Sequence, residues 1–205
     1  MFKIIKDGSY TVFKMFLNQI AMTIFGLAVG LSTWNYEKLS IAASVFAVIF
    51  YLVLLYTMTW EYGYEHSQLI SSGRLKYNPL TGLILSVTAN LVNIVLGVMA
   101  IVGYYGASGY VYYNELGEEV ADIALSIGRA PASPDWAANI FGIGKSFSAI
   151  LNAMYSGLIS SFFRFSPNIY LIIVLPSVAV CTAAYILGTK GKHFTKLVGN
   201  KPNVD

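Results

Sequence analysis

The stretch Pro79–Tyr105, PLTGLILSVTANLVNIVLGVMAIVGYY, carries no charged side chain. An α-helix needs about 20 apolar residues to cross a hydrocarbon core about 30 Å thick, so this stretch is long enough and apolar enough to be a transmembrane helix. Its few polar residues, Ser86, Asn90 and Asn93, stand at i, i+4 and i+7, and Gly97 continues the row. In a regular helix all four share one face. That face is expected to meet another helix, and the remainder to meet lipid.

Composition extends this reading to the whole chain. Of 205 residues, 56% are hydrophobic and 11% charged, against about 25% charged in ordinary soluble domains. The apolar residues fall in blocks of span length, which predicts an all-α, multi-pass transmembrane helical bundle forming a single membrane domain. The spans are expected at about 11–33, 39–60, 79–105 and 168–188, with a basic cytoplasmic tail over 189–205. Net charge is +3, but the lysines gather near the two ends of the sequence, where they read as a topology signal facing anionic lipid rather than as phosphate readers. Nucleic-acid binding is not expected. The single cysteine, Cys181, lies in an apolar run and allows neither an internal disulfide nor a cysteine-based metal site.

The first span begins behind Lys3 and Lys6. Asn18 and Gln19 interrupt it and it runs on to Thr33, longer than the apolar core of a signal peptide, so it is expected to be retained. Gln19, Thr23, Gly26 and Gly30 lie at i, i+4, i+7 and i+11, and Gly26 with Gly30 forms a G-x-x-x-G pair, which allows two helix backbones to approach closely. A tight turn at 34–40 follows, with Trp34 and Tyr36 suited to the headgroup belt, and Trp60 marks the far end of the second span.

The most distinctive polar segment is 61–78, EYGYEHSQLISSGRLKYN, predicted to be cytoplasmic. It carries Glu61, Glu65, His66, Arg74 and Lys76. Glu61, Glu65 and His66 do not share one helical face, and the remote His193 is the nearest candidate for a fourth ligand, so no metal site is expected. The solvated-helix reading, with carboxylates offsetting Arg74 and Lys76, competes with a lipid-headgroup or partner-docking surface.

Beyond the third span, Tyr104, Tyr105, Tyr110, Tyr112 and Tyr113 read as interfacial anchors. The acidic stretch 114–126 could form a short amphipathic helix, broken by the prolines of 129–134. Segment 140–163 is long enough to cross but carries Lys145 and Asn152, and a charge at mid-bilayer costs at least about 2.5 kcal/mol. Loop charge helps to place it. With four crossings and both termini cytoplasmic, nine Lys and Arg lie inside and four outside; with five crossings the balance is six to six with Lys145 in the membrane. The positive-inside rule therefore favours four spans plus an interfacial or re-entrant helix, with five spans as the alternative. Pro176 predicts a kink in the last span.

No catalytic machinery is expected. The spans hold no Asp, Glu or His, which disfavours proton coupling. The GKS at 144–146 lacks the phosphate-loop glycine, since Asn139 stands six residues before Lys145. A G-x-S-x-G elbow does not occur, and no cofactor is expected. Two functional readings remain. The first is a small structural or accessory protein, in the plasma membrane, that binds lipid, a partner membrane protein or a second copy of itself through its helix faces and the 61–78 segment. The second is a solute-binding or conducting subunit of a transporter, with Gln19, Thr23, Asn90 and Asn93 lining a neutral polar cavity between the first and third spans.

Overall fold

A computed structural model describes residues 2–33, 35–106, 135–162 and 166–192, and among them every regular element is helical. A short α1 (Phe2–Asp7) leads into α2 (Ser9–Thr33) and α3 (Glu37–Ser71); α4 (Thr81–Ala89) and α5 (Leu91–Gly106) follow. After them come α6 (Asp135–Leu151), a 3₁₀ turn (Ala153–Tyr155), α7 (Ser156–Phe162), α8 (Ile169–Ile172) and α9 (Val174–Thr189). Three helical stretches are long and apolar enough to cross a membrane, namely Ser9–Thr33, Glu37–Ser71 and Ile169–Thr189, and the α4–α5 pair makes a fourth if it is one broken span. In these three stretches no more than 39% of the most apolar window is buried. Large side chains such as Ile24, Leu31, Phe46, Ile49 and Leu175 instead stand more than half exposed, a pattern that a water-soluble surface does not sustain.

The 79–105 stretch departs from the single straight helix expected of it. It breaks at Asn90, and the two arms are bent by 62°. The cause is local: the Asn90 side-chain Nδ2 and its backbone N–H both donate to the Ser86 carbonyl, at 2.9 and 3.0 Å. An amide side chain that binds the i−4 carbonyl competes with helix continuation. Asn152 repeats the device at the end of α6, donating from Nδ2 and from its backbone N–H to Ser148 O, both at 3.0 Å. Segment 140–163 is therefore divided at Asn152 rather than a continuous helix. Near Pro176 the irregularity falls at Ile173, between α8 and α9, because a proline cannot bond the carbonyl four residues back and its ring crowds that group, while the first turn of a new helix tolerates it. Trp34, residues 107–134 with Tyr110, Tyr112, Tyr113 and the acidic stretch, and the tail beyond Lys192 with His193 lie outside the described residues.

Close contacts divide the chain into two compact units. One comprises Met22–Ala47 and Leu91–Val174. Its centre is an antiparallel pairing of α5 and α6 through small residues. Asn152 Nδ2 donates to Asn93 Oδ1 at 3.2 Å, Gly144 lies on the backbone of Ala100, Gly103 on that of Phe141, and Gly106 on Trp136 and Ala137. The residues Asn93, Gly97, Ala100 and Gly103 form the buried edge of α5. The turn after α6 seats itself against the end of α2 and the start of α3. There Thr23 Oγ1 donates to Leu151 O at 2.7 Å, Gly26 abuts the backbone of Ala153 and Met154, and the Gly157 N–H donates to Ser44 Oγ at 2.9 Å.

The other unit comprises Met1–Ala21, Val48–Asn90 and Leu175–Asp205. Here α9 lies against the last third of α3 at a paired glycine contact. Gly63 faces the Tyr185 carbonyl and Gly188, and Gly188 faces the Trp60 carbonyl, so neither position has room for a methyl group. Gly82 of α4 packs on Cys181 and Tyr185 from another side.

Candidate functional site

The glycine contact leaves α3 running past the apolar 39–60 stretch as far as Ser71, so Tyr62 and His66 stand one turn apart on a common face. The helix then ends in a left-handed residue, Gly73, with φ of 72°. The Arg74 N–H reaches Leu69 O at 2.9 Å and the Gly73 N–H reaches Ile70 O at 3.0 Å. This crossed pair of bonds closes a helix C-terminus and reverses the chain. The reversal carries Leu75–Asn78 back alongside the helix, where Asn78 Oδ1 accepts the Leu80 N–H at 3.0 Å and sets up the start of α4.

The returning segment, α1, α3, α4 and α9 enclose a pocket of about 330 Å³ lined by Ile4, Asp7, Tyr62, His66, Leu75, Lys76, Tyr77, Asn78, Thr81 and Tyr185. Its floor is buried Tyr185 and Thr81, its walls are the half-buried Ile4, Tyr62, His66, Leu75 and Asn78, and its rim is the exposed Asp7, Lys76 and Tyr77. His66 Nδ1 and the Tyr185 hydroxyl form a hydrogen bond of 3.0 Å. The ring centroid of Tyr62 lies 4.2 Å from that of His66 and 6.3 Å from that of Tyr185. The Tyr62 hydroxyl is buried with no hydrogen-bond partner among the described residues.

Electrostatics follow from this burial. Desolvation pulls the His66 pKa below its usual value, outweighing the Glu65 and Asp7 carboxylates that favour the cation; the imidazole is neutral at pH 7. Desolvation, reinforced by Tyr185, Asp7 and Glu65, pushes Tyr62 up to about 12, which keeps it a phenol able to donate a hydrogen bond. The pocket thus offers three tyrosine rings and one charge of each sign at the mouth.

Of the residues singled out in the 61–78 segment, His66 and Lys76 line the pocket, whereas Glu61, Glu65 and Arg74 are exposed and do not. The residues that the sequence reading passed over are Ile4, Asp7, Tyr62, Leu75, Tyr77, Asn78, Thr81 and Tyr185. The i, i+4 spacing of Tyr62 and His66 was a visible signal for one wall; the approach of Tyr185, 119 residues beyond His66, had none. The helix-face residues are found elsewhere. Gln19, Thr23, Ser86, Asn90 and Asn93 are all at most 7% exposed, Gly26 and Gly97 are buried, and Gly30 is half-buried beside Ser156. Thr23, Gly26 and Gly30 run along the 151–156 turn, Asn93 meets Asn152, and Gly97 lies against Tyr170 and Leu171. Ser86 and Asn90 are joined to each other at the helix break. Among the described residues no three His, Cys, Asp or Glu side chains converge on a common point. No family model, no curated protein and no solved structure matches the chain.

Proposed function

We propose that the chain is a multi-pass integral membrane protein of accessory type, crossing four times with both termini cytoplasmic, and that it binds lipid at the pocket beside the 61–78 segment. The α4–α5 pair counts as one broken span in this reading, and α6 with α7 as the interfacial or re-entrant element. The observation that carries it is the depth of the pocket. The 35 residues of α3 extend about 52 Å at 1.5 Å per residue, well beyond a hydrocarbon core of about 30 Å. The stretch from Leu39 to Trp60 fills that core with about 33 Å. Trp60, stacked on Tyr64 at 5.3 Å and donating from its indole N–H to Lys192 O at 2.9 Å, suits the interfacial belt. Tyr62 and His66 then lie about 3 and 9 Å further along the axis. Headgroups occupy that layer, since the bilayer with its polar regions is about 40–45 Å thick.

A solute cavity between the first and third spans has less support, because Thr23 Oγ1 and Asn93 Oδ1 are already engaged by Leu151 and Asn152. The test has two parts. With Cys181→Ala as background, single cysteines at Lys6, Lys38 and Lys190 are labelled by a membrane-impermeant thiol reagent in intact cells and inverted vesicles. Lys6 and Lys190 positions labelled only in inverted vesicles, with Lys38 labelled from outside, is the expected result; labelling of Lys6 and Lys190 from opposite faces overturns the four-crossing arrangement. Lipid extraction from the purified protein, wild type against Leu75→Trp, tests the pocket. Retained lipid should fall in the variant, and unchanged lipid content would remove the binding role.

A further inference from the structure

The pocket's chemistry is specific enough to name a ligand class, resting on the reading that it is a lipid-facing binding site. Among the described residues neither Asp7 nor Lys76 forms an ion pair, and the two bring opposite charges to one rim from segments far apart in sequence. The rings of Tyr62 and Tyr77 line the same pocket. A carboxylate beside aromatic rings is a site for an ammonium group, which the carboxylate binds by charge-assisted hydrogen bonds and the rings by their quadrupole. An exposed ammonium side chain at the same rim is a site for a phosphate oxygen. We propose that the pocket takes an amine-bearing phosphate ester of the phosphoethanolamine kind, its ammonium held by Asp7 and the tyrosine rings and its phosphate by Lys76.

The alternatives are ranked by the same groups. A phosphoglycerol headgroup has an anion for Lys76 but presents no cation to Asp7. A phosphocholine headgroup has the cation but no N–H to donate to the carboxylate. The pocket, at about 330 Å³, lies at the lower end of the range for small-molecule sites and suits a headgroup without its chains.

The full chain in detergent is titrated with ethanolamine, choline and glycerol phospholipids of matched acyl chains and read by native mass spectrometry. In a separate arm it is titrated with water-soluble phosphoethanolamine. The ethanolamine lipid should bind about tenfold more tightly than either of the others; Asp7→Asn should abolish that preference, whereas Lys76→Gln, which removes the partner of a phosphate common to all three, should weaken all three together by about tenfold, as expected for loss of one charge-assisted bond. Binding of soluble phosphoethanolamine with the same variant dependence, where the lipid fails, would keep the ligand class and assign it to a free source. Equal binding of all three lipids, abolished by Leu75→Trp, overturns the headgroup assignment and leaves the pocket as a lipid site. Ethanolamine-lipid binding indifferent to Asp7→Asn, Lys76→Gln and Leu75→Trp overturns both.

Discussion

Two glycines of α6 provide a matched test of how α5 and α6 are held together. A methyl group at Gly144 would lie 2.5 Å from Ala100 N, 2.9 Å from Leu96 O and 3.0 Å from Ala100 Cα, whereas a methyl group at Gly142 would meet nothing within 4 Å. Carbon contacts are comfortable at about 3.5–4.0 Å, so Gly144→Ala requires the backbones to part by about 1 Å. Over-packing of this kind costs about 1–3 kcal/mol. Both substitutions also gain about 0.8–1.0 kcal/mol of helix propensity, so that term cancels between them. Gly142→Ala should therefore be stabilising by up to about 1 kcal/mol, and Gly144→Ala should be less stable than Gly142→Ala by about 1–3 kcal/mol. At 1.4 kcal/mol per decade that is about a 5- to 150-fold difference in the folding equilibrium. Reversible unfolding of the full chain in mixed micelles, titrated with dodecyl sulfate and followed by far-ultraviolet circular dichroism, measures the difference. Coincident midpoints for the two variants would refute the close backbone approach.

Three further outcomes are expected. His66 binds its proton less readily in the folded than in the unfolded chain, so the unfolded state takes up more protons as pH falls; its contribution to stability is complete above about pH 6.5 and is lost below it. Stability measured from pH 7.5 to 5 should fall more in wild type than in His66→Gln, and parallel profiles would contradict the burial of the imidazole. Asn152→Ala removes the bonds to Asn93 and Ser148; a loss of about 1–3 kcal/mol is expected in the same micelle titration, and a neutral result would show that the amide pair is not formed. Tyr62→Phe deletes a buried hydroxyl that has no acceptor among the described residues, and the ligand-free variant should be as stable as wild type or more so by about 1 kcal/mol, which thermal denaturation after delipidation would register.

The helical class and the placement of the long apolar segments were legible because hydrophobicity over 20 residues is a coarse, local property. Within the row Gln19, Thr23, Gly26 and Gly30, Thr23 and Gly26 meet the backbone of Leu151, Ala153 and Met154. The bend at Asn90 was not legible. A serine followed four residues later by an asparagine reads as a polar stripe when only periodicity is considered, yet at Ser86–Asn90 and again at Ser148–Asn152 the amide turns onto the i−4 carbonyl and the helix ends there. The choice between stripe and cap depends on whether a neighbour offers the amide something better, and no local pattern records that. The pocket was hidden for a related reason. Its walls come from five segments, and the glycine contact that brings Tyr185 to His66, Gly63 against Gly188, joins positions 125 residues apart.

The polar groups sort themselves by where they stand along the apolar segments. Within them, hydroxyls and amides find protein acceptors: Thr59 Oγ1 bonds Leu55 O, Thr88 Oγ1 bonds Ile84 O, Thr182 Oγ1 bonds Val178 O, all at 2.7 Å. In surroundings without water a polar group must be satisfied by the protein or not be there. Ser148 Oγ and Asn18 Nδ2 are exceptions, each a single buried atom without a partner among the described residues, and neither lines the pocket. Past Trp60 the pattern changes, because there the exposed Asp7 carboxylate and Lys76 ammonium line one pocket. On the proposed reading, the constraint that forces pairing inside the apolar segments makes the end of α3 the place where a polar ligand is held without unpaired charge in hydrocarbon.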